Sequence, residues 1–399
     1  MASRQNTDWL EAFLKYSENS EPPTLFKIWS GVYTIAACLQ RKCYLNWATG
    51  PLYPNFYIVL CGPGGSRKGT AANYAKGLLR KLGIRLAADS TSRQALIAQI
   101  KESHEVTKFT QHSSLNVFSL EFTVFLGFNN QELITDLCDW FDSDDTWTYR
   151  TRARGEETIN GVWLNIFGCT TPTTLRLALP QNTAGSGLVS RIIFVFGDKK
   201  SKIVSYPIRT EQEKFLEQTL IGDLNHIQLM EGEFRFTQAF LKLYIPWYEN
   251  TCNYPPFKSG PLETYSQRRA IHLLKLSMVF SASRNNAMLI DEIDFNRANE
   301  LLLKTESLMP FVFEGYGQNP KADIIAQIIR LIKSSPGASV KYTDLMQNFI
   351  QDVSAFELES IIQSLVKTGR FRMNFPVDAP PSVAYISPAP RPPEPGAQS

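Results

Sequence analysis

The sequence offers few residues for a metal centre or a disulfide framework. It contains only four histidines, and its six cysteines include no C-x-x-C pair. Several cysteines lie inside apolar segments, where a free thiol behaves as a small hydrophobic side chain. The composition therefore argues against a structural zinc site and against a small fold held together by disulfides.

A strong charge excess and long apolar runs are also lacking. The net charge is only +3 over 399 residues, so any contact with nucleic acid must come from local basic patches. No apolar run reaches the roughly 20 residues that a membrane-spanning helix needs, and the first residues are too polar for a signal peptide. A hydrophobic content of 43% suits a folded chain of roughly two or three domains. We expect a soluble cytoplasmic protein with no membrane partner.

One glycine-rich segment is the strongest indication of function. An apolar strand, Tyr57–Cys61, is followed by the run G-P-G-G-S-R-K-G-T and by a helix predicted over residues 69–82. In this order the loop N–H groups, the helix N-terminus and the lysine ammonium can surround a phosphate chain. The segment therefore predicts a binding site for ATP with Mg²⁺. Its predicted nucleotide-binding residues are Gly62, Pro63, Gly64, Gly65, Ser66, Arg67, Lys68, Gly69 and Thr70.

The segment departs at two positions from the general phosphate-loop pattern G-x-x-x-x-G-K-S/T. Arg67 occupies the place of the second glycine, and Gly69 occupies the place of the hydroxyl that normally binds Mg²⁺. Thr70 lies one residue later, where its hydroxyl could coordinate the metal or only contact a phosphate. The alternative interpretation is a glycine-rich turn with an unrelated lysine. We favour nucleotide binding because the flanking strand and helix are both present.

The glycine-rich segment belongs to a region in which short apolar strands alternate with helices. Further strands are predicted over residues 85–88, 115–120, 162–168 and 192–197, which indicates an α/β fold with a mainly parallel sheet. Helical periodicity dominates residues 207–318, and three helices and a strand after them predict a winged helix. The predicted organisation is an N-terminal helical segment packed on the core (1–50), an ATPase core (51–206), a helical domain (207–318), a winged-helix-like domain (319–378) and a disordered proline-rich tail (379–399).

Two later strands carry candidate catalytic residues at their ends. Glu121 follows the strand that ends at Leu120, and a carboxylate beside the phosphate loop can position water or hold Mg²⁺. Leu120 occupies the place where an aspartate is usual, and it cannot bind a metal. Thr170 or Thr171 follows the next strand, which we expect to lie between the other two, so a hydroxyl there could sense the terminal phosphate. A solvated glutamate and a helix-capping threonine are the alternatives.

Two groups of arginines are candidates for contacts beyond the nucleotide. Arg191 follows a glycine-rich stretch at the start of a strand, where it is either a surface residue or a group that reaches a neighbouring subunit's nucleotide. Arg150, Arg152 and Arg154 alternate along a predicted β-hairpin with its turn at Gly155, so they share one face. Such a row can bind a phosphate backbone. Alternatively, nearby acidic residues neutralise an exposed hairpin.

Acidic residues argue against two further sites. The aspartates between residues 136 and 145 alternate with apolar residues at helical spacing, so a solvated helix face explains them better than a metal site. In the predicted winged helix, the third helix turns Glu357, Glu359, Gln363 and Lys367 outward, and a duplex-reading helix is normally more basic. Packing or protein docking is therefore at least as well supported there as DNA reading.

Several of these segments together resemble a family of phage- and prophage-encoded P-loop ATPases that lie beside replication genes. The resemblance spans Trp9 to Phe313 and includes the loop Gly62–Thr70, in which Arg67 and Gly69 are usual for that family. The order of elements is also similar to superfamily-three viral replicative helicases, which are hexameric AAA+ rings with a hairpin before the sensor strand. Further matching segments are Tyr53–Leu60, Ser119–Phe122, Thr170–Pro172, Ser190–Val195 and Tyr265–Lys275.

The resemblance implies a P-loop NTPase core of AAA+ or RecA-like type that uses ATP and Mg²⁺. It also implies a hexameric ring of copies, single-stranded or forked DNA as the partner, and a replication partner bound through the winged helix or the tail. We expect a replication-associated ATPase of the host cytoplasm, a ring-forming DNA helicase or translocase. In it Lys68 binds the phosphates, Glu121 positions water, Thr171 senses the terminal phosphate and Arg191 acts on the neighbour's nucleotide. The alternative is a nucleotide-gated DNA-binding loader or scaffold without efficient hydrolysis.

Overall fold

The chain folds into two compact units, Met1–Tyr316 and Gly317–Ser399. The structure is a computed structural model that describes residues 4–48, 50–88, 92–127, 130–151, 155–179, 187–313, 322–350, 353–369, 371–376 and 380–386. Two residues of the predicted arginine row, Arg152 and Arg154, lie outside these ranges.

Helices are the main element of both units. None of the helices in the described ranges is both long and apolar enough to cross a lipid bilayer. The α-helices are α1 (Trp9–Tyr16), α2 (Thr24–Leu39), α3 (Lys68–Lys81), α4 (Arg93–Glu102), α5 (Phe122–Leu126), α6 (Gln131–Asp142), α7 (Pro172–Ala178), α8 (Gly187–Arg191), α9 (Glu211–Gln228), α10 (Gln238–Asn253), α11 (Glu263–Arg284), α12 (Glu292–Leu308), α13 (Ala322–Ser334), α14 (Tyr342–Phe349) and α15 (Ala355–Lys367).

The strands of the described residues form four separate sheets. They are β1 (Cys43–Trp47), β2 (Gly50–Leu52), β3 (Tyr57–Cys61), β4 (His104–Val106), β5 (Gln111–Ser119), β6 (Thr146–Thr151), β7 (Gly155–Asn160), β8 (Val162–Thr170), β9 (Ile192–Phe196), β10 (Gly232–Phe236), β11 (Leu289–Ile290), β12 (Ser339–Lys341), β13 (Phe371–Asn374) and β14 (Ser382–Tyr385).

A five-stranded sheet in the order β4-β5-β8-β3-β9 organises the first unit. Strands β5, β8, β3 and β9 are parallel, and β4 runs antiparallel at one side. This confirms the α/β fold with a mainly parallel sheet, and β8 lies between β3 and β5 as the sequence predicts. The strand predicted at residues 85–88 is reduced to one bridge between Leu86 and Asn116. Because the carboxyl ends of parallel strands share one edge, the residues after β3, β5 and β8 come together.

Helix α2 is the buried link between the N-terminal segment and this sheet. The Tyr33 hydroxyl lies 3.2 Å from the carbonyl oxygens of Val117 and Asn165, in β5 and β8. On another side, Trp29 Nε1 donates to Thr305 Oγ1 of α12 at 2.9 Å. Contacts on several sides explain why α2 is apolar almost all round. Most residues of α2 are buried, and α1 before it turns its apolar face inward.

A second sheet, in the order β11-β10-β1-β2, adds two strands to residues 207–318, where helical periodicity dominates the sequence. Strand β10 pairs in parallel with both β1 and β11. In the first pairing, Cys43 lies opposite Gly232 and Leu45 lies opposite Phe234. Because β10 has five residues and its partner β1 is far earlier in the chain, no local pattern indicates this pairing.

The second unit contains a three-stranded sheet in the order β12-β14-β13, with α13, α14 and α15. Strand β14 shows that the predicted disorder from residue 379 onward is wrong for this part of the tail. It pairs with both β12 and β13, and its Val383 and Ala384 are buried. The surrounding prolines dominate the composition, so a four-residue strand among them gives no signal of its own.

A buried ion pair between α11 and α12 provides a test of this packing. Arg269 donates from Nε and Nη2 to the two carboxylate oxygens of Glu306, at 2.6 and 2.9 Å. The two side chains are 6% and 4% exposed, so removing one partner leaves the other charge buried. Glu306→Ala should lower the free energy of unfolding by about 3–5 kcal/mol, measured by urea denaturation.

Glu300→Ala in the same helix is the matched control. Its ion pair with Lys304 is exposed, at 66% and 61%, and is screened by water. The urea midpoint of this variant should equal that of the unsubstituted protein. Equal midpoints for Glu306→Ala and Glu300→Ala would contradict the role assigned to the buried pair.

Candidate functional site

The carboxyl edge of the central sheet brings the predicted site segments together. We define the glycine-rich loop as Gly62–Arg67, between β3 and α3. The Gly62 N–H donates to the Thr170 carbonyl at 3.4 Å, which ties this loop to the end of β8. A Cβ on Gly69 would lie 4.0 Å from Leu120 Cδ2, so the end of β5 approaches the first turn of α3. Three segments that are distant in sequence therefore meet at one edge.

The glycine-rich loop turns sharply into α3. Gly65 has a φ of +83° and Arg67 a φ of +63°, both in the left-handed region. Glycine adopts that region without steric cost, whereas arginine does not. Helix α3 begins at Lys68, one residue before the predicted start. The first N–H groups of such a helix have no acceptor within it, and the helix dipole adds positive potential there.

Lys68 folds back over the glycine-rich loop. Its Nζ lies 2.8 Å from the Gly62 carbonyl oxygen, 2.9 Å from the Pro63 carbonyl oxygen and 3.2 Å from Ser66 Oγ. Burial lowers the pKa of Lys68, and Glu121 is close enough to oppose that shift electrostatically. The ammonium is therefore bound by neutral acceptors, and an anion in their place would make stronger, charge-assisted hydrogen bonds.

Gly62 is the tightest point of the glycine-rich loop. A Cβ at this residue would lie 2.1 Å from the carbonyl oxygen of Gly197, the residue after β9. The Gly197 N–H in turn donates to the Cys61 carbonyl at 3.0 Å. The ends of two neighbouring parallel strands thus approach so closely that only glycine fits. A Cβ on Gly64, by contrast, would meet no atom within 4 Å.

A cavity of about 320 Å³ opens beside the first turns of α3, and we name it the α3 cavity. Arg67, Thr70 and Tyr74 line it from the loop and α3, and Ile208 lines it from the segment before α9. Arg67 Nε donates to Glu21 Oε2 at 2.6 Å, which holds the guanidinium at the cavity. Its volume suits a small-molecule ligand. Sequence reasoning missed the cavity because its lining comes from three separate segments.

The residues near the glycine-rich loop offer few ligands for Mg²⁺. Gly69 has no side chain, the neighbouring Leu120 is aliphatic, and Thr70 lines the α3 cavity. Glu121, which is exposed, provides a carboxylate at this edge. Within the described ranges, no group of three or more His, Cys, Asp or Glu side chains could hold a metal by itself. The donors therefore fit an ion that arrives with phosphate oxygens and waters, since Mg²⁺ is commonly held by one or two carboxylates and a phosphate ligand.

The two threonines after β8 lie at the predicted edge and have structural contacts there. Thr171 Oγ1 accepts the Thr174 N–H at 3.2 Å and caps α7, which is the alternative that the sequence left open. Thr170 is buried, with its Oγ1 3.0 Å from Thr174 Oγ1. Sensing of a phosphate by Thr171 stays a prediction.

Arg191 lies at the opposite edge of the sheet, immediately before β9. Its Nη2 lies 2.5 Å from Asp142 Oδ2, and its Nη1 donates to the Gly187 carbonyl at 2.8 Å. Arg268 donates to the other oxygen of Asp142 at 3.0 Å. Arg191 is only 8% exposed and is engaged within its own chain. Action on a neighbouring subunit stays a prediction, and it requires Arg191 to leave Asp142.

Strands β6 and β7 form the predicted antiparallel hairpin. Strand β7 begins at Gly155, the residue where the sequence placed the turn, and residues 152–154 lie outside the described ranges. Arg150 is exposed on β6, and Arg152 and Arg154 lie outside the described residues. Glu156 lies opposite Arg150 in the register, so a neutralised hairpin remains the alternative. Because β7 leads directly into β8, the hairpin starts at the edge opposite the glycine-rich loop.

The predicted solvated face of the acidic run is wrong for Asp136. This residue is only 6% exposed, and it accepts a hydrogen bond from Arg93 Nε at 2.7 Å. Arg93 lies in α4, 43 residues earlier, so the spacing of the aspartates cannot indicate the pair.

The close approach at Gly62 predicts a strong effect of one added methyl group. Gly62→Ala should force the ends of β3 and β9 apart, which should cost about 1–3 kcal/mol or more of stability. Gly64→Ala is the matched control, because its methyl group would enter open space. Calorimetric melting of both variants measures the difference. Unchanged melting of Gly62→Ala would show that this packing is not as tight as described.

Comparison with known proteins assigns no family to the chain: no protein-family model matches it, and no curated protein matches it either. The resemblance to phage-encoded ATPases therefore stays a prediction, and function is inferred from the geometry of the site.

Proposed function

We propose that the protein binds a nucleoside triphosphate, ATP with Mg²⁺, at the glycine-rich loop. One observation carries this proposal: the Lys68 ammonium lies within 3.2 Å of three loop oxygens, at the start of a 14-residue helix. A phosphate group there would accept hydrogen bonds from Lys68 and from the first N–H groups of α3. The position of the loop after a central parallel strand supports a P-loop NTPase core of AAA+ or RecA-like type.

The α3 cavity provides a place for the nucleoside. It begins at Arg67 and Thr70, where the glycine-rich loop ends, and continues to Tyr74 and Ile208. The ring of Tyr74 and the aliphatic Ile208 offer apolar surface to a base, and Arg67 offers a cation to the phosphates. Thr70 would then contact the sugar or a phosphate rather than serve as the metal ligand.

The proposed reaction is hydrolysis of the terminal phosphate. Glu121 follows β5 beside Lys68, and in this proposal its carboxylate orients the attacking water. Together with phosphate oxygens and waters, the same carboxylate would hold Mg²⁺. Thr171, at the end of the strand between β3 and β5, would sense the terminal phosphate.

The proposed partner is DNA, on which a ring of copies, hexameric by the resemblance, acts as a replicative helicase or translocase. The exposed Arg150 supports a contact between the β6–β7 hairpin and a phosphate backbone. Arg191 would reach the nucleotide of a neighbouring copy after leaving Asp142. In this arrangement the nucleotide and the DNA lie at opposite edges of the central sheet.

The order of elements in the second unit supports a winged helix, and its exposed surface supports docking of a protein. Its elements follow the order helix, strand, helix, helix, strand, strand, with α15 as the third helix. The exposed surface of α15 includes Phe356, which is 82% exposed, and Glu359. An apolar ring and a carboxylate suit a protein partner better than duplex DNA, which attracts basic residues.

A nucleotide-gated loader or scaffold is the second candidate. Gly69 and Leu120 replace two usual donors for Mg²⁺ at the phosphate site, and this favours binding without efficient turnover. Tight ATP binding with no measurable turnover, with or without single-stranded DNA, would select this candidate over the motor.

Lys68→Ala is the direct test of nucleotide binding. The variant loses a charge-assisted hydrogen bond to the phosphates, so affinity for a fluorescent ATP analogue should fall roughly ten- to a hundredfold. Stimulation of ATP hydrolysis by DNA should disappear. Lys81→Ala, at the other end of α3, removes a half-exposed lysine and should leave both measurements unchanged. If the unsubstituted protein binds no triphosphate in the presence of Mg²⁺, the proposed function is wrong.

Arg191→Ala and Arg191→Lys test action between copies. Both should keep nucleotide affinity and abolish turnover, because lysine cannot reproduce the planar guanidinium contact. Arg191→Lys retains the charge beside Asp142 and controls for loss of folding. Size-exclusion chromatography with and without an ATP analogue should show assembly. Normal turnover in folded Arg191→Lys and Arg191→Ala would remove the role on the neighbour's nucleotide.

A further inference from the structure

A second cavity, of about 390 Å³, lies at the edge of the central sheet opposite the glycine-rich loop, and we name it the β1 cavity. Arg41, Lys42 and Tyr44 line it from β1 and the two residues before it. Tyr53 lines it from the segment before β3, and Phe109 lines it from the turn between β4 and β5. The proposed ATP site uses none of these residues. Their combination of aromatic rings and cations calls for its own explanation.

Arg41 is a buried cation with an unsatisfied N–H group. It is 5% exposed, and its Nη2 donates to the Ser143 carbonyl at 2.9 Å and to Asp145 Oδ1 at 2.7 Å. Its guanidinium carbon lies 4.3 Å from the centre of the Tyr53 ring. Among the described residues, its Nε has no hydrogen-bond partner. A buried donor without an acceptor is costly, so an acceptor supplied by a ligand would be stabilising.

Two cations and one carboxylate line this cavity. Lys42 lines it beside Arg41, and burial together with these two cations lowers the pKa of His112 to about 4. Glu231 also lines the cavity, but its carboxylate accepts hydrogen bonds from the β4–β5 turn, including the Phe109 N–H at 3.3 Å. Glu231 therefore anchors the turn. Arg41 is paired with Asp145 and Lys42 Nζ donates to the Gln228 carbonyl, so a phosphate group in the cavity would share these cations with their present acceptors.

The β1 cavity lies at the foot of the β6–β7 hairpin. Asp145, which pairs with Arg41, directly precedes β6, and Gly161 directly follows β7. The Gly161 N–H donates to the Asp145 carbonyl at 2.7 Å. A Cβ on Gly161 would lie 3.2 Å from Arg41 Nη1. The residues that close the hairpin thus also hold Arg41. A nucleic-acid strand bound along the hairpin would reach the cavity.

Exposed aromatic surface at the rim completes the arrangement. Phe109 is 74% exposed, and Lys108 Nζ lies 5.0 Å from the centre of its ring. Bases of single strands stack on exposed rings, while neighbouring cations bind the backbone. We infer that the β1 cavity binds one nucleotide of a single-stranded nucleic acid, with its base on Phe109 and its phosphate near Arg41 and Lys42. The inference rests on the proposed action on nucleic acid and is independent of ATP hydrolysis.

Fluorescence anisotropy of the full chain with a labelled thymidine oligonucleotide of about 20 residues tests the inference. Phe109→Ala should weaken binding at least about fivefold, because the base loses its stacking surface. Phe215→Ala is the matched control, since Phe215 is also exposed, at 64%, and lies in α9 outside the cavity. Its affinity should equal that of the unsubstituted protein. A parallel series with a uridine oligonucleotide separates DNA from RNA. A loss of affinity in Phe109→Ala for either oligonucleotide supports the inference.

Photo-cross-linking with 5-iododeoxyuridine in the oligonucleotide provides the second measurement. Cross-links should map to peptides that contain Tyr44, Tyr53 or Phe109, and cross-links confined to other peptides would overturn the inference. Unchanged affinity in Phe109→Ala would overturn it too, as would equal competition by free thymidine monophosphate. If the protein binds ATP but neither oligonucleotide, the inference fails while the proposed nucleotide site stands.

Discussion

The parallel pairing of β3 with both β8 and β9 is the constraint on which the first unit depends. All five residues of β3 are buried in the sheet. The chain turns in the short glycine-rich loop at the carboxyl end of this strand. At that point Gly62 approaches the Gly197 carbonyl so closely that a hydrogen is all that fits. The same pairing brings the ends of β5 and β8 beside the loop. Glu121 therefore lies at the same edge as Lys68 and its loop because of strand order, although the two segments are distant in sequence.

Strand β8 connects the two candidate sites of the first unit. It begins after Gly161, at the foot of the hairpin, and ends at Thr170, whose carbonyl accepts the Gly62 N–H. All nine of its residues are buried. In its middle, Asn165 accepts a hydrogen bond from the Phe56 N–H at 2.9 Å and donates to Asn116 Oδ1 at 3.2 Å. The proposed nucleotide and nucleic-acid contacts thus lie at the two ends of one buried strand, whose side-chain hydrogen bonds hold it in register.

Elements with a local signal could be predicted from the sequence. Helix α1 has an apolar face and an aspartate cap, and Asp8 indeed accepts the Glu11 N–H. The same holds for strand β3, for the glycine-rich loop and for the hairpin, because each is indicated by the residues within it. Prediction failed where the signal is not local. Strand β10 is recognisable only beside β1, and β14 is hidden among prolines. Asp136 is buried because Arg93 comes from another helix.

The sequence by itself determined the order of the strands along the chain, the glycine-rich loop with its lysine, and the absence of metal donors at Gly69 and Leu120. These properties depend on residue identity and on immediate neighbours. Only the tertiary structure decided that the Lys68 ammonium meets three loop oxygens, that Asp142 holds Arg191, and that two cavities open at opposite edges of the sheet. The Lys68 contacts are local and depend on how the loop folds, whereas the Arg191–Asp142 pair and both cavities join segments far apart in the chain. Their meeting depends on the spatial order of strands in the sheet, which a linear pattern of residues does not contain.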